Sequence, residues 1–252
     1  MAEKTKSAAK SNRVGLLDEI RGFAIICMVV YHAMYDLKFI FGLDIPFFFE
    51  NWFDVIRDIF AGTFIFISGA VCRYSRNNMK RGIQCFFIGM IMTFVLPFFT
   101  GGTIMFGILH FLGISMMIFG LAENIFDVLP ATVGAIICAV LFVLTMGVSD
   151  GFIGVGGVFE LALPRKAYDV GVLFPLGLHS DYFRSSDYFP MLPWFFVFVA
   201  GSYFGVWAKN GSLPKFFYPT HCKWLATVGR YTIWIYVLHQ PILYLIFSLI
   251  FR

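Results

Sequence analysis

The chain has 252 residues, 59% of them hydrophobic and only 13% charged, with 33 phenylalanines and a formal net charge of +4. Soluble globular domains run near ~45–50% apolar and ~25% charged, so this composition excludes them; so small a charge on so apolar a chain also excludes disorder and nucleic-acid binding. At about 20 apolar residues per spanning helix, the length predicts an all-α polytopic membrane bundle of about seven to nine transmembrane helices.

Residues 1–13 are polar and basic (Lys4, Lys6, Lys10, Arg13) and read as a cytosolic tail, with 14–252 as a single transmembrane domain. The apolar run that follows the tail has no small-residue cleavage site after it and carries Asp18 and Arg21 at its start, which marks an uncleaved first span. The expected spans are 16–37, 55–74, 83–100, 103–121, 129–148, 189–208 and 224–250, the last bent at Pro241. The aromatic stretch 39–53, broken by Pro46, reads as interfacial or re-entrant, and 149–188 is the longest connection. Eleven basic residues fall on the side of the N-terminus and six on the other. The positive-inside rule therefore places the N-terminus in the cytosol and the 149–188 connection outside, and helical spans favour a plasma-type inner membrane over an outer-membrane barrel. The five cysteines suggest neither a disulfide framework nor a metal site.

The first span holds the densest chemistry. Ionisable groups inside a bilayer are costly and tend to be functional. Arg21 and His32 are eleven residues apart and so share a helix face, ~16 Å apart along the axis. Asp18 lies one turn before Arg21 and Asp36 one turn after His32, extending a polar stripe along that face. His32 has the pKa range for a general base, and Asp36 is spaced to fix its tautomer. The competing reading is a His–Asp pair that only bonds neighbouring helices.

In the second span, Ser68 and Gly69 are small enough to let another helix or a ligand approach the backbone. Arg73, Arg76, Lys80 and Arg81 follow at its cytosolic mouth. They anchor topology in one reading; in the other they form an anion site for a phosphorylated cofactor, whose oxygens suit arginine forks. His110 and His239 lie in apolar runs and read first as satisfied interhelical bonds, although His239 and Gln240, in the outer half of the last span, could line a pocket there. Asp187, Tyr188 and Trp194 at the start of the sixth span could offer a polar group and ring faces to a ligand at the outer entry, against the plainer reading of an interfacial aromatic belt.

These residues resemble a family. Arg-x10-His (Arg21, His32), FIFISG (Phe64 to Gly69) and GRYTIWIYVLHQP (Gly229 to Pro241) are similar to motifs of the transmembrane acyltransferase superfamily. LDEIRG, FISG, GILHFLG (Gly107 to Gly113), DYFPMLPW (Asp187 to Trp194) and YVLHQP, in that order, resemble bacterial members of the heparan-α-glucosaminide N-acetyltransferase catalytic-domain family. The resemblance implies that acetyl-CoA binds from the cytosol and that its acetyl group passes to a sugar amine or hydroxyl of an extracytoplasmic glycan or glycoconjugate. It makes His32 the base, supported by Arg21 and Asp36, and brings the donor against Ser68, Gly69, Arg73, Arg76, Lys80 and Arg81. The lysosomal pattern has an asparagine at the position of His32 and a catalytic histidine after it, whereas residues 37–53 here contain no histidine. His32 instead matches the O-acetyltransferase branch, so amine and hydroxyl acceptors both stay open. The expected partners are acetyl-CoA, the acceptor and the lipid bilayer, with no metal and no nucleic acid; a homodimer is compatible with the sequence. A proton-coupled transporter or flippase using the Arg21, His32 and Asp36 stripe is the alternative, distinguished by needing no CoA.

Overall fold

The computed structural model describes residues 13–100 and 102–251. Most of the basic tail, residues 1–12, and the terminal Arg252 lie outside the described residues. The helices are α1 (Gly15–Phe39), α2 (Asn51–Cys72), α3 (Asn78–Val95), the short turn α4 (Pro97–Thr100), α5 (Ile108–Phe126), α6 (Ala131–Thr145), α7 (Met191–Lys209), α8 (Lys223–Arg230) and α9 (Thr232–Phe251). Among the described residues, seven helical segments are long and apolar enough to cross a membrane. The only sheet there is a hairpin, β1 (Phe152–Val155) against β2 (Phe159–Ala162), inside the long connection.

Leu121, Ile125, Ile136, Leu245 and Leu249 point outward along the bundle, a surface that a bilayer covers and water does not. Inside, Phe111, Phe119, Phe198 and Ile65 are fully buried. Helix pairs are held by small residues, because in lipid the approach of backbones replaces the hydrophobic drive. At Gly69 the space a Cβ would fill is occupied by the Phe198 carbonyl oxygen, and at Gly201 by that of Phe66, which locks α2 to α7. Gly22 and Gly229 lock α1 to α8 in the same way, against the carbonyls of Leu225 and Asp18.

Several expected boundaries move: α2 and α3 start at Asn51 and Asn78, ahead of the expected 55 and 83, the latter because the Asn77 side chain caps the helix at the Lys80 N–H, and two further shifts have long-range causes. The expected span 224–250 is two helices. The chain breaks at Tyr231, while Pro241 sits inside α9 without ending it; α8 is an amphipathic piece that docks on α1. The expected span 103–121 starts five residues later, at Ile108, because its N-terminus is capped by side chains distant in sequence. Helix direction alternates, so one end of the bundle gathers residues 40–50, 102–107 and 151–190, and the opposite end gathers 73–77, 127–130 and 210–222.

Candidate active site

At the first of these ends, α1, α5, α9 and the segment before α7 converge on Asp187. Its Oδ2 accepts the Ile108 backbone N–H at 3.0 Å and the Tyr236 hydroxyl at 3.0 Å, which caps α5 and ties it to α9. Gly107 has no room for a Cβ because the Asp187 carboxylate fills that space. Burial raises the pKa of Asp187 above the usual carboxylate range, opposed by those two hydrogen bonds and by the charge of Arg57. His110 completes the cap: its Nδ1 accepts the Gly107 N–H at 3.3 Å, its Nε2 faces Thr93 Oγ1 at 3.3 Å, and Thr93 in turn donates to the Ile104 carbonyl at 2.7 Å. Both ring nitrogens are matched. His110 is an architectural residue.

The histidine pair nearby is different. His239 Nδ1 lies 2.6 Å from the Tyr236 carbonyl oxygen; a carbonyl only accepts, so Nδ1 carries the hydrogen and Nε2 a free lone pair. That Nε2 is buried and has no partner. The ring of His32 sits 5.0 Å away, centroid to centroid. Asp36 is fully buried, and its Oδ1 accepts from Gln240 Nε2 at 2.7 Å. Asp36 therefore reaches across to α9 rather than to His32, four residues before it in α1, and its tie to the imidazole pair runs through α9. Asp36 Oδ2 and Gln240 Oε1 are buried without a partner.

Two cavities meet at these residues. The smaller, about 90 Å³, is lined by His32, Tyr35, Asp187, Tyr236, His239 and Gln240 among others. The larger, about 1230 Å³, is bordered by Tyr31, His32, Asp54, Arg57, Asp58, Tyr188 and Trp194. His32, Asp187 and Tyr236 line both. Sequence reading missed the Arg57 group: the guanidinium binds Asp54 and Asp58, each at 2.9 Å, and lies 5.9 Å from the Tyr31 ring centroid. The signal was present as Asp-x-x-Arg-Asp in the first turns of α2. Tyr236, the first residue of the Tyr-x-x-His pattern, was also passed over as a functional side chain. Tyr188 donates to the Phe174 carbonyl at 2.6 Å, which fixes its ring on the cavity wall.

The opposite end holds the remaining candidates, and most are engaged within the bundle. Arg21 donates to Asp18 at 2.6 Å and to the Gly229 carbonyl at 2.7 Å, clamping α1 to α8. Ser68 donates to the Phe64 carbonyl one turn back, at 2.9 Å, and Gly69 is the α2–α7 contact. Arg73 is buried; it bonds Asp127 at 2.5 Å and the Ser202 carbonyl at 3.3 Å and lies over the Phe119 ring at 4.9 Å. Arg76 and Lys80 are exposed and Arg81 is half-buried. Among the described residues these three make no ion pair, and no three His, Cys, Asp or Glu side chains gather as a metal-ligand set.

Seven membrane-length apolar helices among the described residues, with a cavity between them lined by two neighbouring histidines, define a polytopic membrane protein. The family model described as heparan-alpha-glucosaminide N-acetyltransferase, catalytic, matches residues 13–241. The chain belongs to that family of membrane acetyltransferases. No curated protein and no solved structure matches it.

Proposed function

We propose that the protein moves an acetyl group from acetyl-CoA, bound at the basic end, to an amine or hydroxyl of a sugar or glycoconjugate at the other end, with His32 as general base. The observation that carries this reading is the position of His32: it lines both cavities at once, beside a second histidine whose lone pair is unused. A nucleophile in the larger cavity has that imidazole in the cavity wall, where a base has to stand to take its proton. The basic end faces the cytosol by the positive-inside rule, which brings acetyl-CoA to Arg76, Lys80 and Arg81. These side chains are not consumed by ion pairs among the described residues, so they suit the phosphates of CoA. The larger cavity supplies what a sugar needs: Trp194 and Tyr188 offer ring faces, and Asp54 and Asp58 offer acceptors for hydroxyls.

The chemistry is one acyl transfer. His32 takes the proton of the acceptor as its nitrogen or oxygen attacks the thioester carbonyl carbon; the carbon–sulfur bond then breaks and the thiolate leaves. Titration calorimetry of the detergent-solubilised chain with acetyl-CoA tests the donor site. Micromolar binding that weakens about tenfold when Arg76 and Arg81 are both changed to Ala supports it; the absence of binding to acetyl-CoA, CoA and longer acyl-CoAs contradicts it.

A further inference from the structure

His239 has no role in the chemistry described so far, yet its geometry is that of a proton partner. Its Nδ1–H is committed to the Tyr236 carbonyl, its Nε2 lone pair is buried and unpartnered, and its ring stands 5.0 Å from that of His32. A buried acceptor left without a donor is costly, and His110, four helices away in sequence but close to Asp187, shows how this fold matches a histidine it uses only for packing. The seam between α1 and α9 holds more acceptors than donors: Gln240 Nε2 serves Asp36 Oδ1, while Asp36 Oδ2 and Gln240 Oε1 are left unmatched with His239 Nε2.

We propose that His32 and His239 act as one base, in which the proton that His32 takes from the acceptor is held between the two rings. This rests on His32 being the base, and it makes His239 a positioning residue. The N–H or O–H bond of the acceptor breaks and its electron pair forms the bond to the carbonyl carbon. The proton joins a His32 nitrogen, whose hydrogen bond to His239 Nε2 stabilises the imidazolium while the carbon–sulfur bond breaks. The departing thiolate then takes the proton back, so that CoA leaves as a thiol and both rings end neutral. A small rotation about the His32 side-chain bonds suffices, because catalytic hydrogen bonds are often long before substrate arrives. The other titratable and charged groups around the pair are Tyr35, Asp187 and Tyr236 in the smaller cavity, Tyr31, Asp54, Arg57, Asp58, Asp150, His179 and Tyr188 in the larger, and Asp36, joined to Gln240 next to His239.

The test is a 15N-histidine NMR titration of the full chain in detergent, run beside turnover of acetyl-CoA with glucosamine as the acceptor. Two variants separate packing from proton sharing. His239→Asn keeps a donor for the Tyr236 carbonyl but removes the acceptor at Nε2, whereas His239→Gln places an acceptor near the Nε2 position. Wild type should take up one proton for the two rings with a common midpoint. His239→Asn should move the His32 midpoint about one unit toward acid and lower kcat at least about tenfold, with the KM for acetyl-CoA within about threefold. His239→Gln should return the midpoint toward wild type. Independent titration of the two rings, or a His32 midpoint that ignores His239→Asn, would overturn the shared base. Turnover that survives in His32→Ala would instead remove the reading on which it rests.

Discussion

The two ends of this bundle use the same residue types for opposite ends. Around Arg21 and Arg73 the buried charges are held in ion pairs: Asp18 joins Arg21 and Arg13, Asp127 joins Arg73, and glycines bring the helices close enough for side chains to reach carbonyls across the contact, while Arg73 Nη2 and Asn78 Oδ1 stay without a partner. Around His32 the pairing is of another kind: Asp36 is held by the Gln240 amide and by no cation, and Asp36, His239 and Gln240 each keep a buried polar atom unmatched, the last two on the wall of a cavity. Matched buried polar groups add rigidity, and unmatched ones carry an energetic cost that a fold retains where chemistry needs it. The difference teaches that a charge inside a membrane helix can be wholly taken up by the framework, as Arg21 is by Asp18 and the Gly229 carbonyl.

The comparison breaks most visibly at His32. His32→Ala should lower kcat by about 10² to 10⁴ while leaving the thermal midpoint and the detergent elution profile as in wild type. If the variant keeps wild-type turnover, the unmatched end is not where reaction occurs. At the matched end the effects should fall on stability instead. Gly229→Val forces a side chain into the Asp18 backbone and should cost about 1–3 kcal/mol or more, seen as a lower unfolding midpoint and loss of a monodisperse peak. Arg73→Ala should cost about 1–3 kcal/mol through the lost ion pair and the unfilled space over Phe119, with the KM for acetyl-CoA of the folded fraction within about threefold of wild type. A tenfold rise in that KM would move Arg73 from the framework to the donor site.

Much of this was legible beforehand, and the part that was not shares one physical cause. Seven apolar runs, a basic first end and the spacing of Arg21 and His32 are local patterns that a single helix declares. Asp36 was placed on the right face of α1, but its partner Gln240 is 204 residues away, and nothing in the first span reveals that the carboxyl reaches across to α9 instead of along α1 to His32. The start of α5 was misread for the same reason. Its cap comes from Asp187, 79 residues later, so the apolar pattern alone set the boundary too early. Arg73 looked available because its neighbours in sequence are basic, whereas its partners Asp127 and Ser202 come from other loops and helices.

The smallest expected effect is in the pH dependence of stability. Burial raises the Asp187 carboxyl, so the folded state holds its proton to higher pH than the unfolded chain does. Its favourable contribution is complete below the unfolded value of about 3.9 and is lost as pH rises through the folded value. Asp187→Asn, which keeps an acceptor for Ile108 and cannot titrate, should flatten that part of the curve of unfolding midpoint against pH. An unchanged slope would mean that other groups set it.

The most direct test of the central claim uses proteoliposomes containing the full chain, with acetyl-labelled acetyl-CoA on one side and glucosamine enclosed on the other. The account predicts labelled acetyl-glucosamine inside the vesicles for wild type and for Arg73→Ala in proportion to the folded protein, and none above background for His32→Ala. Equal product from wild type and His32→Ala would contradict it.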